Sequence, residues 1–435
     1  MEHLPARSTR IHAPLSAIPL KATLPESAMQ RRHFFRQALH TTAAAAALGI
    51  PGVHLHAATA VASTGAPKFL FVFLRGGMDA ASLLVPTSSS FYYEVRPEIA
   101  IAKPSADLAS ALPLSADWGL HPALRESLYP LYQQGELAFV PFSGTDDLSR
   151  SHFETQDSIE LGQLNNGSIQ YGSGFLNRLA TQLQGPKPAA PMAFTDQLPI
   201  AMQGGLRVPN TSLRNLSKPS VDTRQSSIIA AMYKGTGLEG TVQSGFAVRD
   251  QVMREMSAEM DAASRGAITA KGFELEARRI ARLMREQYAL GFVDVGGWDT
   301  HVAQGGATGY LASRLDELGQ GLAAFSQEMG SAWRNTVVVV MSEFGRTFRQ
   351  NGNRGTDHGH GSVMWVLGGA VRGKQVVGEQ VQMTAATLFQ NRDYAVLNEY
   401  RSVLGGIFQR QWGLSDSQLK TIFPGFKGAR DWGLV

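Results

Sequence analysis

The stretch TVVVVMSEF, residues 336–344, constrains the fold of this chain more than any other feature. Its four consecutive valines leave no polar face, whereas a strand with one wet face alternates apolar and polar residues. A strand of this kind must be covered on both sides, which happens almost only in sheets that carry helices on both faces. The stretch therefore predicts an α/β protein with a mostly parallel central sheet.

Apolar and helical patterns alternate along the rest of the chain. Further strands are predicted within residues 68–79, 136–147, 291–301 and 362–369. Helices are predicted within residues 151–162, 272–290 and 311–329. The last of these carries leucines and a phenylalanine at helical spacing, which indicates a face directed to the core. Helices that alternate with buried strands predict a three-layer α/β/α sandwich.

The chain has 435 residues, of which 43% are hydrophobic, and is long enough for one large domain or two ordinary ones. Residues 163–240 are rich in glycine, proline, asparagine and serine, a composition that favours irregular structure. We therefore predict a leader at residues 1–60 and a single domain at residues 61–435. An irregular insertion or cap is expected at about residues 163–240.

The leader contains the sequence MQRRHFFRQALHTTAAAAALG, followed by the small residues of HAATA. Arg31 and Arg32 before an alanine-rich run are similar to a twin-arginine export signal. The similarity predicts a periplasmic or secreted protein that the twin-arginine translocation machinery recognises. The apolar run is about half the ~20 residues of a membrane-spanning helix, so the mature chain is expected to lack one. A disordered basic arm is the alternative, and Met29 is an alternative start to Met1.

The charge distribution argues against a nucleic-acid partner. The formal charge is +4, from 40 basic and 36 acidic residues, but six of the basic and two of the acidic residues lie in residues 1–60. The remaining chain holds 34 of each and is neutral, so it shows no basic footprint for nucleic acid. The chain also has no cysteine, which excludes disulfides and thiolate chemistry and leaves nitrogen and oxygen as metal ligands.

Titratable residues gather next to the predicted strands. In an open α/β sheet, ligands bind beyond the carboxyl ends of the strands. The residues at those positions are Asp79 after the first strand, Ser149, Ser151 and His152 after the second, Asp299 and His301 after the third, Glu343 after the fourth, and Asp357, His358 and His360 before the last. If the strands run parallel, we expect these side chains to converge on one edge.

Histidines sharpen this expectation. Of 11 histidines, six lie within the first 56 residues, and four of the other five belong to the segments next to strands. His121 is the exception and has the look of a helix start. Imidazoles and carboxylates together predict one or two divalent ions, zinc foremost, with manganese or calcium as alternatives. Two ions could clamp a phosphoryl or sulfuryl group and activate a nucleophile.

Each candidate also has a structural interpretation. Asp79 could cap the next helix, and Asp299 with His301 could form a solvated turn. Ser151 opens the capping-box pattern SHFE, but it could equally be a nucleophile at a helix N-terminus. Arg346 could pair with Glu343 or hold the oxygens of an anionic substrate.

The motifs RGGMD, SRSHFETQD, GGWDTH, SEFGRT and GTDHGHG, in this order behind the leader, resemble the bacterial domain-of-unknown-function family 1501. The resemblance covers nearly the whole chain after the leader. That family is grouped with the alkaline phosphatase superfamily, alongside sulfatases and cofactor-independent phosphoglycerate mutases. The resemblance implies an alkaline phosphatase-like α/β/α sandwich with a two-metal site.

Residue by residue, the resemblance implies roles at matched positions. Asp79 resembles the carboxylate after the first strand, and Ser151, or Ser149, resembles the nucleophile. The metal ligands are implied at Asp299, His301, Glu343 and His358, with Asp357 and His360 as further candidates. The chain departs from the superfamily pattern in the close spacing of GGWDTH, in the missing histidine of SEF, and in the absence of a formylglycine motif at the serine.

The implied function is an exported metal-dependent hydrolase of phosphate or sulfate esters. In it, Ser151 attacks the ester, His152 and Arg346 assist, and the substrate is a small-molecule or glycan ester. Two alternatives share the same fold. One is a cell-envelope binding protein without hydrolytic activity, and the other is a transferase of phospho-groups on envelope glycans.

Overall fold

The structure is a computed structural model that describes residues 65–164, 170–185, 189–213, 223–247 and 272–435. The predicted leader and part of the predicted insertion lie outside the described residues. The strands of the described chain are β1 Lys68–Arg75, β2 Leu84–Pro86, β3 Leu112–Pro113, β4 Trp118–Leu120, β5 Leu137–Gly144, β6 Pro191–Ala193, β7 Leu290–Gly296, β8 Thr336–Ser342, β9 Ser362–Leu367, β10 Gln375–Val376 and β11 Asn398–Glu399. Its α-helices include Ala80–Leu83, Ser90–Val95, Leu128–Gln133, His152–Leu161, Phe175–Gln182, Thr223–Tyr233, Phe273–Glu286, Tyr310–Met329, Tyr400–Trp412 and Asp416–Ile422.

The central sheet has the strand order β10-β5-β9-β8-β1-β7-β6, with β11 also paired to β5. β1 lies between β7 and β8 and is parallel to both, so that Val72 is paired with Val293 on one side and Val340 on the other. β9 is antiparallel to β5 and to β8. The other strands of this sheet therefore share one direction, and β9 alone among the described strands of the sheet runs against it.

Both faces of the sheet are covered, as the valine run predicts. Leu70, Val72 and Leu74 of β1 enter one hydrophobic core, and the alternate phenylalanines of the same strand enter the other. The first core is closed by helices Phe273–Glu286 and Tyr310–Met329, the second by helices that include Tyr400–Trp412. Each fully buried large apolar side chain contributes about 1.5–3 kcal/mol. The predicted α/β/α sandwich with a mostly parallel sheet is confirmed.

The segment predicted as an irregular insertion is partly regular. Helix Phe175–Gln182 buries Phe175 and Leu179 in the second core. β6 then extends the central sheet beside β7, with Met192 opposite Gly291. A three-residue strand is too short to produce a periodic pattern, which is why composition alone indicated a loop.

The direction of β9 decides which of its ends is near the candidate residues. In a parallel arrangement, residues before β9 would lie at the edge opposite to the ends of β1, β7 and β8. Because β9 runs antiparallel to β8, its beginning lies at the edge where those strands end.

Within the described residues, no helix combines the length and apolar character that crossing a membrane requires.

Candidate metal centre

The turn after β1 brings three chain segments into close contact. Gly76 has φ +127°, and a Cβ atom there would lie 2.7 Å from the backbone nitrogen of Asp299. Gly77 has φ +70°, and a Cβ there would lie 2.5 Å from the ring of Phe344. Only glycine combines these angles with this approach. The Gly76 amide is therefore able to donate a hydrogen bond to Glu343 Oε1, 2.8 Å away.

Glu343 follows β8 and is fully buried. Its Oε1 accepts hydrogen bonds from Gly76, from Gln156 Nε2 at 2.9 Å and from His152 Nδ1 at 2.8 Å, while Oε2 lies 2.8 Å from Ser342 Oγ. Burial by itself would raise the pKa of Glu343, but the hydrogen bonds, that of His152 first, outweigh it and lower the pKa. Glu343 is thus an ionised acceptor that orients His152 rather than an open ligand.

His152 is the first residue of helix His152–Leu161. Because the Glu343 carboxylate can only accept, His152 Nδ1 carries a proton and Nε2 is the free nitrogen. The hydrogen bond to Glu343 raises the pKa of His152, against the effect of burial. Nε2 is buried without a hydrogen-bond partner and lies 3.6 Å from Asp299 Oδ2. A buried polar atom without a partner calls for an explanation, and a metal ion is one.

Asp299 lies in the loop after β7, and 46% of its side chain is exposed. Its Oδ1 accepts a hydrogen bond of 2.6 Å from Arg346, whose guanidinium is fully buried. Burial would raise the pKa of Asp299, but the hydrogen bond and charge of Arg346 lower it below its ordinary value. Asp299 is therefore held as a carboxylate, with Oδ2 directed to His152.

His358 approaches Asp299 from the loop before β9. Its Nδ1 donates to the backbone carbonyl of Arg150 at 3.0 Å, because a carbonyl oxygen can only accept. Nε2 lies 3.2 Å from Asp299 Oδ1 and 3.1 Å from His301 Nε2. Burial lowers the pKa of His358, against the hydrogen bond to Arg150, which raises it, and the lowered pKa favours the neutral ring.

His301 completes the group. Its Nδ1 is 3.1 Å from Asp357 Oδ1, which also accepts a hydrogen bond from Asn351 at 3.0 Å. Asp357 therefore orients His301, and the free Nε2 is 2.9 Å from Asp299 Oδ1. Metal-binding histidines commonly donate their other nitrogen to a carboxylate or a carbonyl in this way.

Three histidines thus share one arrangement around one carboxylate. His152, His301 and His358 each donate through Nδ1 to an acceptor and turn Nε2 to Asp299. The ligand atoms of His152, Asp299 and His358 lie within 4.8 Å of one another. Tetrahedral zinc sites place nitrogen and oxygen ligands roughly 3.3 Å apart, since each bond is about 2.0–2.1 Å. His152 and His358, with Nε2 3.6 and 3.2 Å from the Asp299 carboxylate, form with it a three-residue group that could hold a divalent ion. His301 lies beside this group, with Nε2 2.9 Å from Asp299 Oδ1, and we name the four residues the Asp299 cluster.

Asp79 was predicted as a ligand, but the structure gives it other partners. Its carboxylate is buried. Arg96 donates hydrogen bonds to Oδ2 at 2.6 Å and to Oδ1 at 3.0 Å, and Gln304 and Ser82 each donate to Oδ2 at 2.7 Å. Burial would raise the pKa of Asp79, but Arg96 lowers it. This closed ion pair corrects the ligand prediction, because both oxygens are occupied by a buried guanidinium.

Other predictions need a similar correction. Arg346 contacts Asp299, the carbonyl of Gly76 and Thr356 rather than Glu343, and its buried guanidinium cannot reach a substrate from solvent. His360 lies apart from the cluster, against the ring of Phe389 at 5.0 Å between centroids. Burial lowers the pKa of His360 to about 4, so it is a neutral packing residue.

Ser151 occupies the N-cap position of helix His152–Leu161, directly before His152. Its side chain makes no capping hydrogen bond, so the predicted capping box is not formed. Ser149 Oγ instead accepts the Ser151 amide at 3.2 Å and lies 3.3 Å from Thr155 Oγ1. The hydroxyl of Ser149 is engaged locally, whereas that of Ser151 is not used as a cap.

Sequence reasoning missed the residues that orient the histidines from a distance. Gln156 bonds Glu343 and accepts a hydrogen bond from Arg75 at 2.8 Å. Its spacing of four from His152 places both on one helix face, a signal that was available. Asn351 and the carbonyl of Arg150 had no such signal, because a backbone acceptor leaves no trace in residue identity.

The family model described as "Protein of unknown function (DUF1501)" matches residues 66–423. No curated protein matches the chain.

Solved structures show low similarity. A protein of the alkaline phosphatase superfamily from Vibrio parahaemolyticus has 10% identity and a TM-score of 0.34, over 72% of this chain and 63% of that chain. This chain therefore spans less than two thirds of that protein. Ps i-CgsB in complex with k-i-k-neocarrahexaose has 8% identity and a TM-score of 0.36, over 85% of this chain and 76% of that chain. A 2-O GAG sulfatase has 10% identity and a TM-score of 0.30, over 84% and 76%. These scores carry no argument about activity.

Proposed function

This chain belongs to the DUF1501 family, and we propose that it is a metal-dependent hydrolase of phosphate or sulfate esters that binds one divalent ion. The observation that supports the proposal most is the arrangement of the three histidines. Acceptor nitrogens that face a carboxylate repel it unless a cation or a proton lies among them. The fixed Nδ1 donors make a cation the natural occupant at neutral pH.

The ligands in this proposal are Nε2 of His152, His301 and His358 together with the carboxylate of Asp299. Nitrogen and carboxylate donors in this ratio suit zinc best, with manganese as an alternative. When bound, such an ion supplies a Lewis acid that withdraws electron density from an ester oxygen. His152 is thereby a ligand rather than the catalytic residue expected from sequence.

We propose one ion rather than two because Asp79, the second carboxylate expected as a ligand, is already occupied. Asp79 has no free oxygen for a further ion, because Arg96 already neutralises it. Arg346 acts as a positioning residue, since it donates a hydrogen bond of 2.6 Å to Asp299 Oδ1. The phospho- or sulfo-group would therefore meet one metal charge, not two.

Ser151 is the proposed nucleophile. Its oxygen would bond to the phosphorus or sulfur atom and give up its proton, and the bond to the ester's alcohol oxygen would break as that oxygen takes up this proton. Water would then release the phosphate or sulfate from the serine. The N-terminus of helix His152–Leu161 favours negative charge on the attacking oxygen. Export through the leader remains a prediction from Arg31 and Arg32.

The test compares metal content and turnover in three proteins. Elemental analysis of purified wild type, after reconstitution with zinc, is expected to give about one ion per chain. Asp299→Asn is expected to lose most of the ion and all hydrolysis of p-nitrophenyl phosphate or sulfate. Asp117→Asn, at an exposed aspartate in the turn before β4, is the matched control and should behave as wild type.

Two results would count against the proposal. Wild type without bound metal, or Asp299→Asn with undiminished metal, would refute the metal centre. Metal bound at the cluster without turnover of any ester would instead favour the non-hydrolytic binding protein.

A further inference from the structure

Arg150 lies between the two residues that matter most at the helix start, Ser149 and Ser151, and has a left-handed backbone with φ +53°. Its carbonyl is the acceptor for His358 Nδ1 at 3.0 Å. A residue with a Cβ atom in this conformation costs roughly 1–2 kcal/mol. Some other interaction must therefore hold Arg150 in place.

The side chain of Arg150 provides that interaction. Its Nε and Nη2 donate to Asp393 Oδ2 at 2.9 and 2.7 Å, and Nη2 also donates to Gln390 at 2.7 Å. Asp393 is fully buried, while the Arg150 side chain is 22% exposed. A charged, two-point contact to a buried carboxylate is stronger and more directional than a neutral hydrogen bond.

Asp393 is itself held by the chain around it. Its backbone forms isolated bridges with Thr347 and Phe389, and its carbonyl accepts the amide of Phe389 at 2.9 Å. Thr347 in turn donates its amide to the carbonyl of Asp357, beside His358. The anchor of Arg150 and the loop that carries His358 therefore belong to one framework.

We propose that the Arg150–Asp393 ion pair is a positioning device for the Asp299 cluster, which fixes the carbonyl of Arg150 and thereby holds His358 in the Nδ1–H form. Without the pair, the peptide between Arg150 and Ser151 can rotate and withdraw its carbonyl. His358 Nδ1 then loses its acceptor, and the neutral ring is free to carry its single proton at Nε2 instead. The consequence for metal affinity rests on the function proposed above, whereas the consequence for the tautomer does not.

The neighbouring Arg392 offers a matched control. Its Nη1 lies 3.4 Å from the same Asp393 Oδ2, and its side chain is 39% exposed. Arg392→Gln removes a cation from the same carboxylate but leaves the pair with Arg150 intact. A general loss of charge around Asp393 and a specific loss of the Arg150 anchor are thereby separated.

The experiment uses the full chain and two variants of the pair. Arg150→Gly removes the side chain, and glycine adopts φ +53° without strain. A change in this variant therefore reports the loss of the ion pair and not strain at that backbone angle. Asp393→Asn keeps the shape and removes the charge. The tautomer of His358 is read from two-bond ¹H–¹⁵N spectra of metal-free protein at about pH 8, where the ring is neutral. Zinc affinity is then measured by competition with a chelator.

We expect wild type and Arg392→Gln to show the Nδ1–H form. Arg150→Gly should show a mixture, and Asp393→Asn a smaller change in the same direction. Zinc affinity should fall about 10- to 100-fold in Arg150→Gly, the usual effect of losing an orienting partner. The thermal midpoint serves as a check that a variant is folded.

An unchanged His358 tautomer in both Arg150→Gly and Asp393→Asn would overturn the proposal. An equal change in Arg392→Gln would do so as well. If wild type binds no zinc, the metal centre fails, yet the tautomer in metal-free protein still decides whether the ion pair positions His358.

Discussion

Asp79 and Asp299 begin from the same local pattern and reach opposite states. Each follows a buried parallel strand, and each meets a buried arginine, Arg96 or Arg346. Asp79 is 1% exposed and gives both oxygens to Arg96, whereas Asp299 is 46% exposed and gives one oxygen to Arg346. The first site is closed and structural. The second leaves Oδ2 directed to His152, while His301 and His358 approach Oδ1.

An aspartate that follows a strand is therefore only a candidate metal ligand until its counter-ion is known. Arg96 is 17 residues from Asp79 and forks around the carboxylate. Arg346 also donates hydrogen bonds to Thr356 and to the carbonyl of Gly76, so only one of its nitrogens contacts Asp299. The geometry of the arginine, rather than the identity of the acid, separates scaffold from site.

The largest effect on stability is expected from removing the Asp79 carboxylate. Asp79→Ala leaves the Arg96 guanidinium buried without its charge partner, and loss of one partner of a buried pair costs about 3–5 kcal/mol. Asp299→Ala should cost clearly less, because Arg346 keeps the Thr356 contacts and Asp299 is half exposed. Urea unfolding of metal-free protein measures both. A larger loss in Asp299→Ala would reverse the assignment of the two sites.

A second effect is the pH dependence of stability, which is expected to have opposite signs for the histidines near Asp79 and near Asp299. His121, near Asp79, is buried; its Nδ1 accepts the Ala123 amide and its Nε2 donates to the Gly306 carbonyl. Burial lowers the pKa of His121 from 6.5 to about 4. The unfolded chain therefore binds this proton first, so stability is full above about pH 6.5 and decreases by about 2–3 kcal/mol as the pH falls to about 4.

His152 in the Asp299 cluster should have the opposite sign. Its pKa is raised by Glu343, so in metal-free protein its contribution is full below about pH 6.5 and is lost as the pH rises through the folded-state pKa. Unfolding free energies across pH, for wild type, His121→Gln and His152→Gln, separate the two. Unchanged acid sensitivity in His121→Gln would show that His121 is not the source of the loss of stability at low pH.

The smallest effect on stability is expected at Ser151. An N-cap serine normally contributes about 1 kcal/mol through its side chain, but Ser151 makes no such bond. Ser151→Ala should therefore change the free energy of unfolding by only a few tenths of a kcal/mol, and Ser151→Gly by no more. Both variants should keep the metal and lose ester turnover. Turnover near the wild-type rate in either would exclude Ser151 as the nucleophile.

The composition and periodicity of the chain by themselves determined the sandwich and most of its elements. The valines of β8 require cover on both faces, and the leucines of helix Tyr310–Met329 provide part of it. The same reading placed His152, Asp299, His301 and His358 beside strands, because strand ends can be located from hydrophobic pattern alone. These are local properties, since each depends on residues within a few positions of one another.

Tertiary structure decided the rest. Only the pairing of β9 with β5 and β8 shows that its beginning, with His358, lies where the other strands end. Only the folded chain shows that Arg96 closes Asp79, that Arg346 leaves Asp299 open, and that a backbone carbonyl orients His358. The physical reason is that strand direction and the choice of charge partner are set by contacts between distant segments, and such contacts leave no periodic signal in the residues that make them.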